Sequence, residues 1–228
     1  MSITPSTLTR GGAVAAVLAG LAYIVIQFIH PADVVASLST QRWAVVHILS
    51  FAEAVLAVVG ITAIYLRQVR HFGILGLIGY LMFGFFFILQ SSFTFVEAFV
   101  APLFVADAPQ VSVDVVGLFG RYEAVTDLGP LAALPDVGAL LYVGGALLFG
   151  IAVTRARVLS RGAGILLIAA AAATPIAGAF LPHTLERMAA VPMGFALIWL
   201  GCSLWSEQRN ASVSRAGADE AGIGRLVR

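Results

Sequence analysis

Five stretches of about twenty apolar residues and a sixth slightly shorter one fill most of this chain, and almost no charge interrupts them. A helix rises about 1.5 Å per residue, so each stretch is long enough to cross a hydrocarbon core about 30 Å thick. A water-soluble fold is excluded by charge content: 11% of the residues are charged, where soluble domains carry about 25%. The fold class that follows is all-α, a polytopic membrane bundle with six transmembrane helices at 11–30, 43–66, 73–96, 136–153, 162–181 and 188–206. These make one domain, 1–206. Residues 207–228 are rich in Ser, Ala, Gly and charge with no apolar period, and read as a disordered cytoplasmic tail.

The basic residues set an orientation. All 13 are arginine, and in the short connections they gather at one end of the helices: Arg67 and Arg70 between the second and third, Arg155, Arg157 and Arg161 between the fourth and fifth. Arg10 precedes the first helix and Arg209 follows the sixth. The positive-inside rule then puts both termini in the cytoplasm of a bacterium, with the chain in its cytoplasmic membrane. The 97–135 connection is outside and acidic, with Asp107, Asp114, Glu123 and Asp127 against Arg121. Pro102, Pro109, Pro130 and Pro135 forbid one long helix there, so it reads as an outer cap of short interfacial helices.

The lipid bilayer is the first partner, and a net charge of +1 gives no footprint for nucleic acid. Small residues spaced for close helix approach, Gly12, Ala16 and Gly20, then Gly73, Gly76 and Gly79, then Ala169 and Ala173, serve this bundle, partner membrane helices or a homo-oligomer. The single cysteine, Cys202, excludes an intramolecular disulfide and a CxxC site.

Polar residues inside the spans fall into three stripes. Tyr23, Gln27 and His30 are spaced i, i+4, i+7 on the first helix, and Gln90, Thr94 and Glu97 repeat that spacing on the third. On the second helix His47, Ser50 and Glu53 step inward from Trp43, which reads as an interfacial anchor. All three stripes lie in the outer half, and together they predict a polar pocket open to the outside. Tyr23, Gln27, Ser50, Glu53, Gln90 and Thr94 are its candidate ligand-binding residues. A carboxylate as deep as Glu53 costs several kcal/mol if charged and unpaired, so it is either a functional group or a neutral side chain bonded to Gln27, Gln90 or a backbone carbonyl.

His30, His47 and Glu97, with His183 as a further imidazole, are the candidate metal ligands, because two imidazoles and a carboxylate suit Zn or non-haem Fe with open positions. Haem b held by His47 and His30 or His183 is a second cofactor reading. The plain alternative is that both histidines are interfacial side chains satisfied by water and headgroups. No GxSxG elbow, phosphate-binding Gly-rich loop, intramembrane Lys or Arg-rich helix is present, and no residue takes a catalytic role. Three functions remain: a pocket binding a metal or small ligand, enzymatic if a metal activates water; an accessory subunit of a larger membrane complex; or a small proton-coupled transporter using Glu53.

His30-Pro31, Trp43-x-x-x-His47, Ile64-Tyr65-Leu66-Arg67-Gln68, Glu97-Ala98-Phe99-Val100-Ala101-Pro102 and Arg155-Ala156-Arg157-Val158-Leu159 resemble a group of six-helix bacterial membrane proteins of actinobacterial type. That group has no assigned activity. The resemblance spans the first five helices and implies fold, topology and inner-membrane location, and it draws attention to His30, His47 and Glu97.

Overall fold

A computed structural model describes residues 4–120, 124–181 and 186–226, and within them the chain is an all-α, multi-pass membrane bundle. Helix α1 is Pro5–Ile29. It starts ahead of the apolar run because Thr4 caps it, accepting from the Thr7 N–H at 3.2 Å, and Pro5 occupies the first turn where no N–H is needed. After a short turn of helix, α2 at Val35–Leu38, a second capping threonine, Thr40, opens α3, Gln41–Phe95. The outer connection holds α4, Pro109–Val116, and α5 (Leu134–Ala156), α6 (Arg161–Phe180) and α7 (Val191–Leu226) complete the order.

Among the described residues five helical runs are long and apolar enough to cross a membrane, because the second and third expected helices are joined into the single run Gln41–Phe104. That run is broken at Gly73, where φ is 57° and ψ is −163°, a conformation open to glycine and costly for any side chain. Here the chain reverses. The Thr62 and Tyr80 hydroxyls lie 3.1 Å apart, and the Tyr65 and Tyr80 rings stack at 4.4 Å, so the arms either side of Gly73 run back along one another. A connection expected to occupy 67–72 is thus compressed to one residue.

The segments form a ring in chain order. The first arm of α3 packs on α1, where Gly60 meets Ala16 and Gly12 meets Ala63. The second arm packs on α5, where Gly79 lies against Phe149 and Gly145 against Phe83. Gly150 and Gly164 join α5 to α6, Gly162 seats Trp199 of α7, and Gly20 meets Gly194 where α7 returns to α1. Small residues are thus spent on backbone approach, as expected in lipid, where apolar burial gives no driving force between helices. On α6, however, Ala170 and Ala171 are buried and Ala169 is exposed. Large side chains face outward: Val14, Leu18, Leu21, Val25 and Phe28 recur every three or four residues on the exposed face of α1.

Helix α7 runs on through residues 207–226. Pro192 sits in the first turn of α7, after a 3₁₀ turn at Arg187–Ala190, where no N–H is needed, whereas Pro175 lies inside α6.

The 97–135 connection is, over its described residues, a string of short turns and α4, as the prolines require. Asp114 fastens it, accepting from the Thr126 N–H and from Gln110 Nε2, each at 2.8 Å. The Thr126 hydroxyl and backbone N–H beside Asp114, with Gln110, hold its carboxyl below the usual carboxylate range.

Candidate functional site

A cavity of about 300 Å³ lies between the helices at the end covered by α4, at the small end of the range for small-molecule sites. The stripes on α1 and the second arm of α3 form much of its wall. Tyr23, Gln27 and His30 face Gln90, Thr94 and Glu97 across it, and Ser50 adds a hydroxyl from the first arm of α3. Helical spacing had put each trio on one face, and the tight reversal at Gly73 turns the two arms of α3 toward the same space. Apolar walls come from Ile26, Phe86, Leu89 and Phe93, and the mouth carries Asp33, Glu186 and Arg187.

Arg187 Nη2 is 3.3 Å from Asp33 Oδ2, an ion pair that ties the segment before α7 to the segment after α1. Asp33 had not been singled out from the sequence. Its position three residues after His30 was the available signal, and His30 Nδ1 is 3.9 Å from its other oxygen.

Most O–H and N–H donors along the wall are already spent on their own helices. Ser50 Oγ donates to the Val46 carbonyl at 3.0 Å, Thr94 Oγ1 to the Gln90 carbonyl at 2.9 Å, and Gln27 Nε2 to the Tyr23 carbonyl at 2.9 Å. Tyr23 and Tyr142 share a side-chain hydrogen bond, and Thr174 Oγ1 donates toward the Tyr142 hydroxyl at 3.4 Å. Thr174 extends the polar lining to α6, with Tyr142 of α5 behind it, and neither belongs to a stripe.

Two of the candidate residues stand behind the wall instead of on it. Glu53 is fully buried and accepts from Gln90 Nε2 at 2.8 Å, while Glu53 Oε1 and Gln90 Oε1 have no hydrogen-bond partner among the described residues. The expected Glu53–Gln90 bond is therefore present, with Gln90 between Glu53 and the cavity. His47 is 1% exposed beneath Trp43, whose ring stacks on the imidazole at 3.9 Å. Trp43 is itself completely buried among Leu38, Ala101 and Val116, so it is no interfacial anchor. It donates from Nε1 to the Glu97 carbonyl at 2.8 Å and thereby fixes the first turn beyond α3.

The candidate metal ligands converge without chelating. His47 Nε2 is 3.6 Å from Glu97 Oε2 and the His30 and His47 rings are 5.1 Å apart, but His30 Nδ1 is bonded to the Pro31 carbonyl at 2.7 Å. His47 Nδ1 is bonded to the Trp43 carbonyl at 2.8 Å, which leaves Nε2 to face Glu97. His183 lies outside the described residues. Among the described residues no group of three or more His, Cys, Asp or Glu side chains is placed to hold a metal ion.

At the opposite end of the bundle Gln68 is completely buried, donating to the Ile64 carbonyl at 3.3 Å with Oε1 unpartnered among the described residues. Nothing in its sequence setting distinguished it from the arginines on either side.

The Glu53–Gln90 bond yields an expected result. Glu53→Gln keeps the shape and one hydrogen bond and should leave the thermal melting of the detergent-solubilised protein within a degree or two of the parent, while Glu53→Leu strands the Gln90 amide and costs about 1–2 kcal/mol. Equal melting of all three proteins would show that the bond contributes nothing to folding.

Compared with known protein families, curated proteins and solved structures, the chain shows no match.

Proposed function

We propose that this protein is a small-ligand-binding protein of the cytoplasmic membrane, crossing it six times with both termini inside and opening its cavity to the outside. The observation that carries this reading is the cavity itself, a mostly apolar space into which several polar side chains are set, walled by residues of α1, both arms of α3 and α6. Polar groups inside a membrane are costly and persist where they meet water, one another or a ligand. The six crossings follow if each arm of α3 spans the bilayer, and the arginines at 67, 70, 155, 157 and 161 then fall on one side.

Glu53 supports a transport variant of the same reading. It is a fully buried acid with one oxygen unpartnered among the described residues, one side chain away from the cavity. Proton uptake there on ligand binding would couple the two.

Thiol labelling tests both access and orientation. In a Cys202→Ala background, a cysteine at Gln27 or Thr94 should react in intact cells with a small membrane-impermeant reagent. A cysteine beyond Ser206 should react only after permeabilisation. Labelling of the tail in intact cells would reverse the orientation, and failure of both cavity positions to react from either side would remove the ligand site.

A further inference from the structure

The lining of the cavity has a chemical sign. Ser50 and Thr94 each have one O–H, and both donate it to a carbonyl of their own helix, so what they can offer the cavity is lone pairs. Gln90 spends an N–H on Glu53, and its own Oε1 is buried out of a ligand's reach. Glu97 is 8% exposed, lines the cavity, and meets His47 only at 3.6 Å, too long for a hydrogen bond. The guanidinium at the mouth, Arg187, already pairs with Asp33. Carboxylates outnumber it among the lining residues, with Asp33, Glu97 and Glu186 against Arg187. A space rich in oxygen acceptors and negative side chains, with apolar surface from Ile26, Phe86, Leu89 and Phe93, is the complement of a molecule that donates hydrogen bonds, carries positive charge and has a hydrocarbon body.

We propose that the cavity takes a small organic ammonium cation, with Glu97 as its counter-charge and the oxygens of Ser50 and Thr94 as further acceptors. This rests on the ligand-binding reading above and names its ligand class. An ammonium has three donors and no acceptor, so it meets oxygen acceptors without creating new orphans. It also brings a positive charge to a nearly buried carboxylate whose neighbour His47 stays at 3.6 Å. A carboxylate ligand would meet Glu97 with like charge, and an alcohol would bring one donor and no compensating charge.

The test uses the full chain in lipid nanodiscs, with empty nanodiscs as the control for partitioning. Methyl-, butyl- and benzylammonium are each compared with the alcohol and the carboxylate of the same skeleton, by titration calorimetry and by thermal stabilisation. At least one ammonium should bind about tenfold or more tightly than its two matched compounds. Glu97→Gln should remove most of that preference and Glu97→Asp should retain part of it, while both variants melt as folded proteins. Alcohols or carboxylates binding as well as the ammonium ions would overturn the ammonium assignment and leave a ligand cavity standing. An ammonium preference unchanged in Glu97→Gln would overturn the role of Glu97. If no compound binds, the ammonium assignment falls; it takes the ligand-binding reading with it only if thiol labelling also fails at Gln27 and Thr94.

Discussion

Replacing Trp43 by alanine should destabilise the protein by about 3–5 kcal/mol, the usual cost of deleting a completely buried large aromatic. Three separate losses fall on that one side chain. The cluster with Leu38, Ala101 and Val116 loses its largest member, the His47 ring loses its stacking partner, and the Glu97 carbonyl loses the indole N–H. Because Val116 belongs to α4, the outer connection should loosen with the core. Protease cleavage within 105–120 should therefore speed up in Trp43→Ala at temperatures where the helices remain folded by circular dichroism. Trp43→Phe keeps an aromatic ring but loses the hydrogen bond and part of the buried volume, and should fall between the parent and Trp43→Ala. A Trp43→Ala protein with parental melting and parental proteolysis would mean that α4 is held by something other than this cluster.

The second large effect is expected at Gly145. A Cβ there would run into the backbone nitrogen and Cα of Phe83, and Gly79 makes the reciprocal approach to the backbone at Leu148 and Phe149. Backbone cannot step aside as a side-chain tip can, so Gly145→Leu must push α5 away from the second arm of α3. Phe83 and Phe149, both completely buried beside this crossing, would lose contact on both faces. Overpacking of this kind costs about 3 kcal/mol or more, to be read as a lowered detergent melting temperature and reduced yield of folded protein. Gly11 is the internal control: nothing lies within 4 Å of a Cβ placed on it, so Gly11→Ala should be neutral or stabilising by up to about 1 kcal/mol. Equal behaviour of the two variants would show that the glycine contacts do not hold the helices together.

Apolar length announced the helices, because a span has to match a hydrocarbon thickness and few other constraints produce such runs. The cavity wall was also readable, since Tyr23, Gln27 and His30, like Gln90, Thr94 and Glu97, keep a helical spacing that leaves them no choice but to share a face. What lies opposite a face is not periodic information. His47 and Glu53 belong to a stripe that drifts around its helix, and only packing decides that Trp43 closes over one and Gln90 over the other. Trp43 itself carries the residue type of an interfacial anchor, and its burial depends on residues as distant in sequence as Val116. The reversal at Gly73 was hidden for another reason: glycine is frequent in membrane helices as a packing residue, so a glycine that turns the chain resembles all the others. Tyr142, Thr174 and Asp33 stood alone in their segments, where a single polar residue gives no spacing to interpret.

Because every segment packs chiefly on its neighbour in sequence, the contacts that build this protein can form one after another as the chain leaves the ribosome, each new helix docking on a surface already in place. The exception is the seam between α1 and α7, which joins the first segment made to the last. Until synthesis reaches α7 the barrel of helices is an open sheet with two unguarded edges, and the ion pair from Arg187 to Asp33 can form only when they meet. Biogenesis therefore has a vulnerable interval whose length is set by translation of α5 and α6. During that interval the edge of α1 that Gly194 and Gly201 finally cover is open to the bilayer.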